Sequence, residues 1–219
     1  MPKKAPAARP ARTTPADPGL ALVDAALALA KERGWRSLTL AEIAAAAKLS
    51  LDEACRHIPS KTAILDRLGR LIDEAMLAEG AADPEDSPRD RLFDLLMRRF
   101  DALQERRAGI AAIARDLRAD PLASLALLPQ LERSMRWTLE AAGIGAGGLT
   151  GLARVRGLGL LYLAVIRVWL RDDSEDMAPT MKALDQRLSQ AEQIATTIGR
   201  GPRLPRRAAA RKEADQGPE

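Results

Sequence analysis

Two helix-start signatures eleven residues apart, Thr39-Leu-Ala-Glu42 and Ser50-Leu-Asp-Glu53, constrain this chain more than any other feature it carries. In each, the hydroxyl residue can accept a hydrogen bond from the free backbone N–H three positions on. The glutamate reaches back to the N–H of the hydroxyl residue. The first helix, Leu40 to Ala47, therefore has room for about two turns before the second cap opens. It is rich in alanine, so a neighbouring helix can approach closely. Two short capped helices at this spacing predict a helix-turn-helix.

The flanking pattern agrees. Leu20, Val23, Leu27 and Ala30 recur every three to four residues, and Gly34 follows as a stop, which predicts a helix ahead of the pair. Trp35 and Leu38 in the connection are expected to pack on it. Ile58-Pro59-Ser60-Lys61 interrupts the chain and caps a further helix from Lys61 to about Glu79, with Ile64, Leu65, Leu68, Leu71, Ile72 and Ala75 on one face. Ser87-Pro88 opens a helix reaching about Arg107, with Leu92, Leu95, Leu96, Arg99 and Leu103 at core spacing. Further helices are expected over Ala108 to Arg118, Pro121 to Ala142 with a kink at Pro129, Thr150 to Arg171, and Pro179 to Ile198. Gly143 to Gly148 reads as a flexible connector. Alanine and leucine dominate and aromatics make up only 3%, so no strand is expected. The fold class is all-α, with about nine helices. The organisation is a disordered basic arm (1–18), a helix-turn-helix head (19–65), a helical body for ligand binding and dimerisation (66–198), and a disordered basic tail (199–219).

Charge sharpens this division. Lys3, Lys4, Arg9 and Arg12 against Asp17 leave the arm at +3, and the stretch from Arg200 onward is also at +3. The net charge of the whole is +4, so the remainder is at −2. The basic balance belongs to the ends, which suits phosphate or anionic lipid. Several classes are excluded. Cys55 is the single cysteine, so there is no disulfide framework and a reducing cytoplasm fits. No apolar segment follows the N-terminal charges as in a signal peptide. The longest apolar run, Gly157 to Ile166, is bracketed by arginines and too short to span a bilayer. His57 is the only histidine. Its i, i+2 spacing from Cys55 does not face the two side chains together on a helix. No metal cluster, cofactor motif or enzyme signature is present.

The stretch Leu20–Gly34, Leu38-Thr39-Leu-Ala-Glu-Ile-Ala-Ala-Ala-Ala47, Leu49-Ser50 and His57-Ile58-Pro59-Ser60-Lys61 with Leu65 resembles the DNA-binding head of TetR-family repressors. The resemblance implies that the helix after Ser50 enters the major groove of double-stranded DNA. It implies DNA contacts from Thr39, Ser50, Leu51, Arg56, His57 and Lys61. Lys61 would add its charge to the positive end of a helix dipole at a phosphate. It further implies a homodimer through the last two helices, a near-palindromic operator, and a ligand in the body that shifts the dimer between DNA-competent and incompetent states. This chain departs from the family pattern in carrying Cys55 where a tyrosine is usual and Ile58 where an aromatic is usual. Asp52 and Glu53 add two carboxylates to the first turn of the reading helix.

In the body, Met97, Phe100, Leu103, Trp137, Tyr162, Ile166 and Trp169 supply apolar and aromatic wall for a small apolar or lipid-like ligand. Val168-Trp-Leu-Arg-Asp-Asp-Ser-Glu-Asp-Met177, with Thr180, Leu184 and Arg187, resembles the C-terminal segment of TetR-fold lipid-binding accessory proteins of ubiquinone biosynthesis. That likeness implies an alternative: isoprenoid lipid binding with peripheral membrane contact.

Overall fold

The computed structural model describes residues 16–199, so the basic tail and all but the last residues of the arm lie outside the described residues. Within them are ten helices and no strand. The head comprises α1 (Pro18–Arg33), α2 (Leu40–Ala46), α3 (Leu51–His57) and the start of α4 (Lys61–Ala78). The body adds α5 (Pro88–Gln104), α6 (Arg107–Arg118), α7 (Pro121–Ala126), α8 (Leu128–Ala141), α9 (Gly148–Trp169) and α10 (Ala178–Gly199). The cap and first residue of α1 fall inside the stretch 1–18 read as arm. Asp17 caps α1, its Oδ1 accepting from the Leu20 N–H at 2.9 Å, and Pro18 takes the first helical position.

The tenth helix comes from Pro129. A kink was expected inside one helix. Instead the chain breaks at Leu127, and Pro129 falls in the first turn of α8. A proline there sacrifices no helical hydrogen bond, whereas inside a helix its ring would collide with the carbonyl four residues back. Counted as one bent helix, α7 and α8 restore nine.

Head and body share one apolar core, running from Leu22 and Ile43 through Leu68 and Leu96 to Tyr162 and Trp169. The joint is close at α1 and α6. A Cβ on Gly109 would stand 2.7 Å from Leu27 Cβ and 2.8 Å from its carbonyl oxygen, so only glycine permits this approach. Polar contacts flank it. Arg106 Nε donates to Asp24 Oδ1 at 3.0 Å, and the Arg36 N–H donates to Asp116 Oδ2 at 3.0 Å. On the other side Gln130 of α8 donates to the Leu65 carbonyl at 3.1 Å.

Deeper in, α4, α5 and α8 meet at a buried ionic clasp. Arg99 pairs with Asp73, and the Ser134 hydroxyl donates to the same carboxylate oxygen at 2.5 Å. The Arg99 guanidinium also lies 5.1 Å from the centre of the Tyr162 ring. Asp73 and Met76 take the buried face of α4 alongside Ile64, Leu65, Leu68 and Ile72, whereas Ala75 is exposed, contrary to the periodicity reading.

Although the uninterrupted apolar run Gly157 to Ile166 is too short to span a bilayer, the helix that contains it, α9, is long and apolar enough, by length and composition, to cross a membrane. Here Val155, Leu158, Tyr162, Val165 and Trp169 are buried, as α9 packs on α8 and α10. Part of its apolar surface is left uncovered within one chain. Leu149 is 88% exposed, Leu160 71%, and Leu163 is exposed as well.

Candidate nucleic-acid interface

Both capping boxes form. The Thr39 N–H and hydroxyl each donate to Glu42 Oε2 at 2.8 Å, and the Glu42 N–H donates to Thr39 Oγ1 at 3.3 Å. The Ser50 N–H and hydroxyl donate to Glu53 Oε2 at 2.9 and 2.8 Å, and the Glu53 N–H returns to Ser50 Oγ at 3.2 Å. Hydrogen bonds from the Thr39 backbone and hydroxyl hold the Glu42 carboxyl below its ordinary value. The first box is therefore intact above the usual glutamate range and weakens as pH falls through the lowered pKa.

Between the boxes the chain turns at Lys48, whose φ of 62° lies in the left-handed region. Glycine adopts that conformation freely, but a residue with a Cβ pays for it. The strained residue sets Leu49 into the core and leaves its own ammonium exposed beside the start of α3. Composition and periodicity gave no sign of this.

On α3, Ala54 faces inward, and Ile58 beyond its end is buried. Leu51, Asp52, Cys55, Arg56 and His57 are exposed. Ser50 sits half-buried at the cap and Thr39 is exposed at the start of α2. Five of the six predicted DNA contacts thus lie around one short helix pair. Arg56 is not a free cation, however: its guanidinium is paired with Asp52 one turn earlier.

Lys61 is placed differently from the expectation of a phosphate-facing ammonium. Its Nζ donates to the carbonyls of Trp35 at 2.6 Å, Leu38 at 2.9 Å and Arg36 at 3.4 Å, and lies 4.7 Å from the centre of the Trp35 ring. Burial pushes its pKa below that of an ordinary lysine, with Asp116 and Glu42 opposing. The side chain closes the α1–α2 loop onto the start of α4, and so sets where Thr39 stands. Lys61→Met is expected to cost about 2 kcal/mol, since hydrogen bonds from a charged donor are lost. Urea unfolding measures this. Unchanged stability with weakened DNA binding would return Lys61 to a direct phosphate role.

The candidate ligand wall divides. Phe100, Leu103, Tyr162 and Trp169 are buried, and Met97 and Ile166 half-buried. The Phe100 ring lies 5.5 Å from Tyr162 and 6.3 Å from Trp169. Trp169 Nε1 donates to Gln104 Oε1 at 3.0 Å. Trp137 does not join them. It is 38% exposed and borders a shallow notch with Leu77, Gly80, Ala81 and Ala141. The buried stripe of α8 is Ser134, Met135, Thr138 and Leu139, and two residues on from Met135 is roughly 200° round the helix.

A capped two-helix unit with an exposed second helix, supported by α1 and α4, defines a protein of the helix-turn-helix DNA-binding class. Residues 22–68 match the family model of bacterial regulatory proteins, tetR family. A solved TetR transcriptional regulator from Nitrosomonas europaea is 27% identical, covering 81% of this chain and 99% of that one, with a TM-score of 0.62. A TetR regulator from Rhodococcus sp. RHA1 is 22% identical over 79% of this chain and 94% of its own, with a TM-score of 0.59. One from Streptomyces coelicolor is 20% identical over 84% and 82%, at 0.55; these two show the fold. No curated protein matches. Residues 22–68 match the TetR family's DNA-binding head, and the chain as a whole has the fold of a TetR-type DNA-binding transcriptional regulator.

Proposed function

We propose that the protein is a dimeric, cytoplasmic repressor that reads a near-palindromic operator through α3 and releases it when a small apolar molecule occupies the body. The observation that carries this reading is the exposed face of α3, the second of two helices each opened by a formed capping box, with Thr39, Ser50, Leu51, Arg56 and His57 around it. Lys61 enters as the residue that positions Thr39. The dimer is supported by the uncovered stripe of Leu149, Leu160 and Leu163 on α9 with Ile194 on α10, since apolar surface grouped in this way marks a contact. Phe100, Leu103, Tyr162 and Trp169 form the apolar centre against which an effector would have to insert. Sequencing genomic fragments captured by the purified protein tests the reading: a shared near-palindrome supports it. Salt-sensitive capture without a motif would leave the head a non-specific binder. It would favour the lipid-binding alternative, to which purification with isoprenoid lipid adds direct support.

The acidic first turn of α3 gives a sharper test. Asp52→Asn removes a carboxylate and releases Arg56. Affinity for duplex DNA is expected to rise about fivefold, and the slope of log K against log salt to steepen by about 0.9, the value for one added phosphate contact. Fluorescence anisotropy across a salt series reads both. If neither changes, the first turn of α3 does not face the DNA backbone.

A further inference from the structure

Where α9 ends and α10 begins, an open cleft of about 530 Å³ is lined by Arg167, Arg171 and Arg187 over a floor that includes Ala164, Val168 and Pro179. Among the described residues, none of these three guanidinium groups has a carboxylate within ion-pair distance. The two acids in the wall are engaged elsewhere. Asp172 is buried and accepts from the Ser174 N–H at 3.1 Å and hydroxyl at 2.5 Å, and from the Thr180 N–H at 2.9 Å and hydroxyl at 2.5 Å. Asp173 pairs with Arg107 at 3.1 Å. The amides opening α10 are also taken, by Asp172 and Asp176, so the arginines are the free donors of this cleft.

We infer that this cleft is a binding site for a compact polyanion carrying two or more phosphate or carboxylate groups. Guanidinium groups stay charged at every physiological pH and present paired N–H donors that match planar carboxylate or phosphate oxygens. Three of them around one concavity suit an anion of more than one charged group, and the volume is that of a small-molecule site. The apolar floor fits a short carbon skeleton between the groups. The site is separate from α3, so the inference does not depend on operator reading; it adjoins Trp169 through the Asp173–Arg107 pair, and Arg167 and Arg171 continue the α9 face of Leu160 about two and three turns on.

Titration of the full chain with pyrophosphate, citrate and inorganic phosphate at fixed, near-physiological ionic strength tests it. Calorimetry is the readout. Pyrophosphate or citrate is expected to saturate one site per chain. Arg171→Gln and the triple variant Arg167→Gln/Arg171→Gln/Arg187→Gln should weaken binding by about tenfold or more. Arg171→Lys should fall between, and Arg115→Gln, on α6, should bind as the parent does. Circular dichroism establishes that the variants fold. Equal binding by parent and triple variant would overturn the inference, because the anion would then sit on the head or the basic ends. So would absence of saturable binding by the parent to the three anions and to the phosphatidylglycerol vesicles alike. A triple variant that becomes monomeric, while the parent ignores all three anions, would also overturn it and assign the arginines to carboxylates of a second copy. Vesicles containing phosphatidylglycerol separate the sources. Arginine-dependent vesicle binding without a response to soluble anions would assign the site to a lipid headgroup, and the converse to a free metabolite.

Discussion

Arg99→Met is expected to destabilise the protein by about 3–5 kcal/mol, the usual result of removing one partner from a buried ion pair. Arg99 and Asp73 are both within the core, 3% and 0% exposed. Without the guanidinium, the Asp73 carboxylate keeps the Ser134 hydroxyl on Oδ1 and no hydrogen-bond partner on Oδ2. The pair is not the cheapest way to fill this space. Asp73→Leu combined with Arg99→Met should recover most of the loss, since apolar residues of similar volume replace buried ion pairs at little cost. Equilibrium urea unfolding of the single and double variants measures both effects. A loss under 1 kcal/mol in Arg99→Met would mean that the carboxylate escapes to water or takes up a proton. The position of the pair gives it a functional consequence as well. Asp73 lies on α4, whose first residue Lys61 holds the loop that carries Thr39. The double variant keeps stability while removing the polar register between α4 and α5. A change in operator affinity in that variant alone would therefore link the clasp to the setting of the head.

How far such features could be read in the sequence depended on the range of the forces involved. The capping boxes of Thr39–Glu42 and Ser50–Glu53 were legible because donor and acceptor sit three residues apart, so the motif carries its own geometry. Arg99 was legible as a core position from the apolar spacing of α5. Its partner was not, because Asp73 lies 26 residues away on another helix. Lys61 had the right residue type at the right place for a phosphate contact. Only the fold brings the carbonyls of Trp35 and Leu38 to its ammonium. Trp137 went astray for a related reason: composition put it with the other aromatics, whereas the buried stripe of α8 runs along a different face. Arg56 was read as a DNA contact and Asp52 as an added carboxylate on the same helix, but a one-turn separation lets them neutralise one another first.

Leu160→Arg is expected to convert the protein to a monomer and to weaken operator binding by about 10²–10⁴-fold. Leu160 is 71% exposed and lies one helical turn from Leu163, Leu149 falls on the same side of α9 eleven residues earlier, and Ile194 on α10 is exposed as well. An arginine in the middle of an isologous contact meets its own copy across the two-fold axis, so the charge is buried twice and repels itself. The fold of each chain should survive, because the position makes little contribution to the core. Loss of the second head turns bivalent binding into two separate events and removes the effective concentration that joins them, which accounts for the size of the effect. Sedimentation velocity gives the oligomeric state, and anisotropy on a whole operator and on a single half-site gives the affinities. Half-site binding should be nearly the same in parent and variant while whole-operator binding collapses. A variant that remains dimeric would move the interface away from α9. A monomer that still binds the whole operator tightly would mean that one head suffices, and the near-palindrome would then have no mechanical basis.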